Sequence, residues 1–143
     1  MKRVLVGIDG SDCSDRALDK ACELAKETGA LVIVCYVIPW SPYSFSTPEE
    51  NAERHRRREQ ELETARTRLL QPRVDAVTEQ GVQVESVVRH GHPVRTLIRL
   101  AEERNADLLV AGRSGHGSLK ARIFGGTAIS LIQASPVPVL VMP

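Results

Sequence analysis

An open parallel α/β sheet is the fold class this sequence predicts, and three observations predict it. Short apolar segments recur along all 143 residues, separated by stretches of helical period. One of them, LVIVCYVI (residues 31–38), is apolar on both faces, as in a strand covered on both sides. The two kinds of segment alternate as β-α-β-α-β-α-β-α-β, which implies right-handed crossovers with helices on both faces of one sheet.

Each element has its own justification. KRVLVGID (2–9) is a short buried strand, and GSDCSD after it supplies helix-cap residues. Ala17, Leu18, Ala21, Leu24 and Ala25 then share one helical face, with Gly29 at the helix C-terminus. After the strand at 31–38, PWSPYSFST reads as a loop carrying Trp40, Tyr43 and Phe45, three of the five aromatic residues. Thr47-Pro48-Glu49-Glu50 is a helix start, with a cap, a proline at the first position and a glutamate three residues past the cap. The helix it opens is charged, with Glu50–Arg54 and Glu53–Arg57 spaced as on a solvated face, and Pro72 is expected to kink or break it before Gly81 ends it. VQVESVV (82–88) is the third strand, and Gly91-His92-Pro93 opens a helix with Val94, Leu97, Ile98 and Ala101 on one side. DLLVAG (107–112) is the fourth strand. TAISLIQAS is a short helix stopped by Pro136, and VPVLVMP is the fifth strand.

The length fits a single domain spanning 1–143 with a substantial core. A formal net charge of +1 gives no general attraction to nucleic acid or membrane. The arginines at 54 and 56–58 are interleaved with Glu53, Glu59, Glu61 and Glu63, so they read as a solvated face. Cys13, Cys22 and Cys35 have neither CxxC nor zinc spacing and fit reduced, buried thiols in a cytoplasm. The first apolar run ends at Asp9, too short for a signal-peptide core, and the longest, Ala30–Ile38, is far below a membrane span.

In such sheets ligands bind beyond the carboxyl ends of the strands, where the winding reverses. Asp9, Val37, Arg89 to Gly91, and Gly112 onward fall at those ends. Five of the 10 glycines lie in GRSGHGSLKARIFGGT, residues 112–127. Glycines there let backbone N–H groups close on an anion, and the free N–H groups of the next helix add partial positive charge. Together they predict a phosphate cradle, with Arg113, Lys120 and Arg122 beside it. The P-loop does not match, because Ser118 stands where it needs lysine, and GxGxxG is absent. Val88 and Arg89 occupy the end of the third strand, where a receiver domain carries its phospho-accepting aspartate.

The spacing Gly112-x2-Gly115-x9-Gly125 resembles the nucleotide-binding signature of the universal stress protein family, G-x2-G-x9-G-[S/T]. VLVGIDGSDCSDRAL resembles that family's first strand and aspartate. VRHGHPVRTLIRLAEERNADLLVAGRSGHG resembles its G-x-P segment and fourth strand, and SPVPVLVMP its closing strand. The resemblance implies an adenine-nucleotide alpha hydrolase-like sheet ordered 3-2-1-4-5, with the reversal between Asp9 and Gly112. It implies ATP as ligand, with AMP or ADP as related ones and Mg2+ carried through the phosphates. By the same resemblance Asp9 and the Val37 backbone hold the adenosine half. Gly112, Arg113, Gly115, His116, Gly117, Gly125, Gly126 and Thr127 surround the phosphates. A homodimer through the C-terminal strand is also implied, and the exposed edge of that strand invites such pairing.

One position departs from the signature: Gly126 stands where Ser or Thr is expected, and Thr127 comes one residue late. Serine at 126 is expected to tighten ATP binding modestly, unless Gly126 needs positive φ or Thr127 already supplies the hydroxyl. Asp9 reads as a ribose contact or helix cap rather than a catalytic acid. His90 and His92 are explained by a turn before Pro93 as well as by metal ligation. His116 fits phosphate contact and neutral packing equally. Ser114 and Ser118 have no recognisable base partner, so nucleophilic catalysis has no support. The expected function is an ATP-binding, cytoplasmic stress-response regulator with a regulatory partner the sequence does not name. The alternatives are a slow ATP hydrolase or nucleotide transferase on the same fold, and a nucleotide-free interaction module.

Overall fold

The computed structural model describes residues 1–39, 47–114 and 126–143. Along the chain run β1 (Arg3–Ile8), α1 (Asp12–Thr28), β2 (Leu31–Ile38), α2 (Pro48–Thr64), a π-helical stretch (Ala65–Leu70), α3 (Gln71–Glu79), β3 (Val84–His90), α4 (Pro93–Glu103), β4 (Leu108–Gly112), α5 (Gly126–Ala134) and β5 (Val139–Met142). The strands form one sheet ordered β3-β2-β1-β4-β5, and every neighbouring pair is parallel.

The sheet divides the core into two layers, as expected of strands apolar on both faces. One layer joins Val4, Val6, Val32, Val34 and Val110 to α1 and to Leu70 and Val77 of the second crossover. The other joins Leu5, Ile33, Cys35 and Leu109 to α4 and to Leu131 of α5. Alternate residues of β1 therefore serve opposite layers, and Val4, Leu5 and Val6 are all fully buried. Each such side chain contributes about 1.5–3 kcal/mol through its removal from water.

The irregularity expected at Pro72 is present, as a π turn just before it. The helical run does not stop there but passes through the π turn, in which the Gln71 N–H reaches back five residues to the Arg66 carbonyl. Pro72 then falls in the first turn of α3, where its missing N–H costs nothing. The wider turn also puts Ala65 and Leu70, five residues apart, into buried positions together. Thr47 caps α2 in a reciprocal capping box with Glu50, as the sequence indicates.

The third strand lies two residues later than the 82–88 read from the sequence. Val82 is buried before strand pairing begins, and the ladder with β2 runs from Val32–Val84 to Ile38–His90. Arg89 and His90 look polar in sequence, yet they pair because β2 extends that far. β3 is one edge of the sheet, and its side chains are tied to the α4 region by Arg89–Glu103 at 3.0 Å and Arg104–Glu85 at 2.8 Å. At the amino end of the sheet the Asp107 carboxylate accepts from the backbone N–H groups of Lys2 and Arg3, which locks β1 beside β4.

Candidate functional site

The strand order places the reversal of winding between β1 and β4. The crossovers from β1 and β2 lie on one face of the sheet, and α4 and α5 lie on the other. The opening between them lies beyond Ile8 and Gly112, the last residues of the two central strands.

Asp9 follows β1 directly. Its Oδ1 accepts from the Ser11 N–H at 2.9 Å and from the Ser11 hydroxyl. The Ser11 Oγ in turn accepts from the Ser14 N–H and caps α1. The Ser14 hydroxyl sits 3.3 Å from the Asp9 N–H and donates to the Ser11 carbonyl. Ser11, not Asp9, is therefore the helix cap, and Asp9 fixes the orientation of that cap. Both serines are buried although polar, because their hydrogen bonds are met within this turn. The sequence offered the cap residues but not this division of labour.

Val37 is buried at the carboxyl end of β2. The ladder between β1 and β2 ends at Ile8–Tyr36, whereas the ladder to β3 continues through Val37 and Ile38. On the β1 side, Val37 thus lies one residue beyond the last strand pair. It borders the opening near Asp9.

On the other side of the opening, Gly112 ends β4 and Arg113 follows it, exposed. The Arg113 N–H donates to the Met142 carbonyl at 2.6 Å. Gly126 begins α5 at φ 41°, with Thr127 next to it, and both are exposed. Gly115, His116, Gly117 and Gly125 lie outside the described residues. Of the predicted site, Asp9, Val37, Gly112 and Arg113 are brought to the carboxyl ends of three adjacent strands. Gly126 and Thr127 open the helix that the parallel β4-α5-β5 crossover starts at the same rim.

The two histidines have other roles. His90 Nε2 lies 2.9 Å from the Glu61 carboxylate, a partner 29 residues away that sequence proximity does not reveal. His92 caps α4, with Nδ1 accepting from the Arg95 N–H.

A family model described as universal stress protein family matches residues 1–143. The chain belongs to the universal stress protein family. Among its relatives, universal stress protein YxiE of Bacillus subtilis is 31% identical over 147 residues, covering 98% of this chain and 97% of the relative. Universal stress protein A homolog 1 of Coxiella burnetii is 32% identical over 143 residues, covering 97% of this chain and 94% of its own length. UspA from Lactobacillus plantarum is a solved structure with TM-score 0.85 at 24% identity, covering 99% of this chain and 97% of that one, and it bears out the fold. Another universal stress protein, solved in complex with cAMP, has TM-score 0.65 and 28% identity and covers 99% of this chain and 95% of that one. The sheet order 3-2-1-4-5 is the one that the resemblance implied.

Proposed function

We propose that this universal stress protein binds an adenine nucleotide, ATP foremost, at the carboxyl rim between β1 and β4. The observation that carries the reading is the placement of Asp9 and Gly112 at the two central strand ends where the winding reverses. The relative that holds cAMP supports the ligand class. In this reading the Asp9 carboxylate, already fixed by Ser11, takes the ribose, and the backbone at Val37 takes the base. The phosphates lie among Gly112, Arg113, Gly115, His116, Gly117, Gly125, Gly126 and Thr127, with Mg2+ carried by the phosphates themselves.

The residues present suit this ligand. The first turn of α5 presents N–H groups with partial positive charge at exposed positions, and the Arg113 guanidinium stands beside β4 as a full charge. The nucleotide acts as a signal that this protein reads, not as a substrate it turns over. The protein is cytoplasmic, its copies pair through β5, and its response passes to a regulatory partner. Among the described residues no helix is long and apolar enough to cross a membrane.

The direct test is to denature freshly purified protein and identify what is released. An adenine nucleotide in near-stoichiometric amount is expected. Protein that carries none, and that shows no heat with ATP, AMP or cAMP on titration, overturns the reading. Turnover above about 1 per second, the low end of ordinary enzymes, would replace it with the hydrolase alternative.

A further inference from the structure

Gly112 is the first glycine of the signature, yet the space left by its missing side chain is filled by the protein itself. A Cβ at this position would stand 2.8 Å from Cys13 Sγ, 3.0 Å from the Cys13 carbonyl carbon and 3.1 Å from the Cys13 oxygen. The closest of these is shorter than real Cβ contacts, and two of the three are backbone atoms of the first turn of α1. Glycine is thus required at 112 by the approach of α1 to β4.

Cys13 is buried, 5% exposed, and sits where three segments meet. Its thiol donates to the Met142 carbonyl at 3.4 Å, and the same carbonyl accepts from the Arg113 N–H. Burial pushes the thiol pKa up, but hydrogen bonds from the Ser114 backbone and side chain and the Arg113 backbone, with the charge of Arg16, outweigh it and leave it below its ordinary value. The hydrogen bonds come from the chain that leaves β4, and the Arg16 charge from α1. The Arg16 Nε reaches the Pro143 carbonyl at 3.0 Å and adds a further tie between α1 and the end of β5.

Resting on the nucleotide reading above, we propose that Gly112 and Cys13 form a positioning pair. Their contact sets where the chain leaves β4, and so where the phosphate-binding residues that follow are presented. The Cys13 side chain itself does not touch the nucleotide. A methyl group at 112 pushes against α1 and displaces Arg113 and Ser114, whereas the adenosine half, held at Asp9 and Val37, stays in place.

The experiment measures ATP and adenosine dissociation constants for wild type, Gly112→Ala, Cys13→Ala and the double variant, all well below their melting temperatures. Gly112→Ala is expected to weaken ATP by about tenfold, the usual scale for overpacking a filled site, while adenosine changes by about twofold or less. Cys13→Ala removes the nearest atom, so the double variant is expected to bind ATP more tightly than Gly112→Ala alone. General destabilisation would weaken both ligands alike. Equal losses for ATP and adenosine, or an unchanged ATP affinity in Gly112→Ala, overturn the pairing. Should the wild type bind no nucleotide, it is the nucleotide reading that fails, and the pair is then judged by hydrogen exchange at the Arg113 amide. Faster exchange in Gly112→Ala with recovery in the double variant supports the pair, and unchanged protection overturns it. Should Gly112→Ala fail to fold, Cys13→Leu supplies the same crowding from the α1 side, with the same expected and overturning outcomes.

Discussion

Replacing Gly126 by serine restores the hydroxyl that the family signature carries, and on sequence grounds it should tighten ATP binding. The structure reverses that expectation. Gly126 sits at φ 41°, in the left-handed region, where a side chain costs roughly 1–2 kcal/mol relative to the right-handed helical region. For a chain of this length 1 kcal/mol corresponds to about 4 °C in melting temperature. Gly126→Ser is therefore expected to lower Tm by about 4 °C or more. It is not expected to realise the roughly 1.5–3 kcal/mol that a hydrogen bond to a charged phosphate contributes at best. Thr127, the next exposed residue of α5, is the hydroxyl left to serve. Thr127→Val keeps the shape of the side chain and removes only the hydroxyl. It should weaken ATP by roughly threefold to tenfold, and AMP by less, since the contact is to the outer phosphates. Differential scanning calorimetry gives Tm, and isothermal titration gives the two affinities for each variant. A Gly126→Ser protein with unchanged Tm and clearly tighter ATP binding would refute the argument from backbone geometry. An unaffected Thr127→Val would remove the hydroxyl from the phosphate site altogether.

Gly115→Val is expected to abolish ATP binding in a protein that still melts cooperatively, because a β-branched side chain would occupy the space where backbone meets phosphate. Unaltered calorimetric affinity in the folded variant would sink the cradle. Among the described residues, the β5 strand Val139–Met142 pairs with β4 on one side only and carries no charge on its edge. Light scattering should therefore report a dimer at micromolar concentration and a monomer for the Val139→Lys, Val141→Lys variant; a monomeric wild type counts against it. Cys35 gives a pH prediction. Burial pushes its thiol from 9.0 up to about 12, against a small opposing pull from the Arg89 charge. Between those values the unfolded chain loses the proton while the folded one keeps it, so the stability present below pH 9 is lost as pH rises toward 12. The loss from this group is about 1.4 kcal/mol per pH unit. Urea titrations from pH 8 to 11 should show a steeper decline for wild type than for Cys35→Ala, and parallel declines would show that the thiol is not protonated by burial.

What the sequence determined by itself was the set of elements and the family. Continuous apolar runs at 31–38 and 108–112 can be satisfied only by burial on both faces, and that requirement is local to each run. The spacing of Gly112, Gly115 and Gly125 is likewise visible along the chain, because a backbone that must approach closely to other atoms excludes side chains wherever it does so. The tertiary structure decided what those residues touch. Pro72 falls in the first turn of α3, and the break expected there takes the form of a π turn in which the Gln71 N–H bonds the Arg66 carbonyl. β3 shifts to Val84–His90 because its partner β2, and not its own apolar pattern, sets the ladder. His90 finds Glu61 across 29 residues, and no short-range rule relates the two. Gly126 takes positive φ at the start of α5, which the signature spacing cannot report. Gly112 shows the division most plainly. Sequence says that no side chain fits there, but only the packing of α1 on β4 says that the obstacle is Cys13. The need for a glycine is a one-dimensional property of a crowded backbone, whereas the identity of the crowding atom depends on which distant segment the fold brings against it.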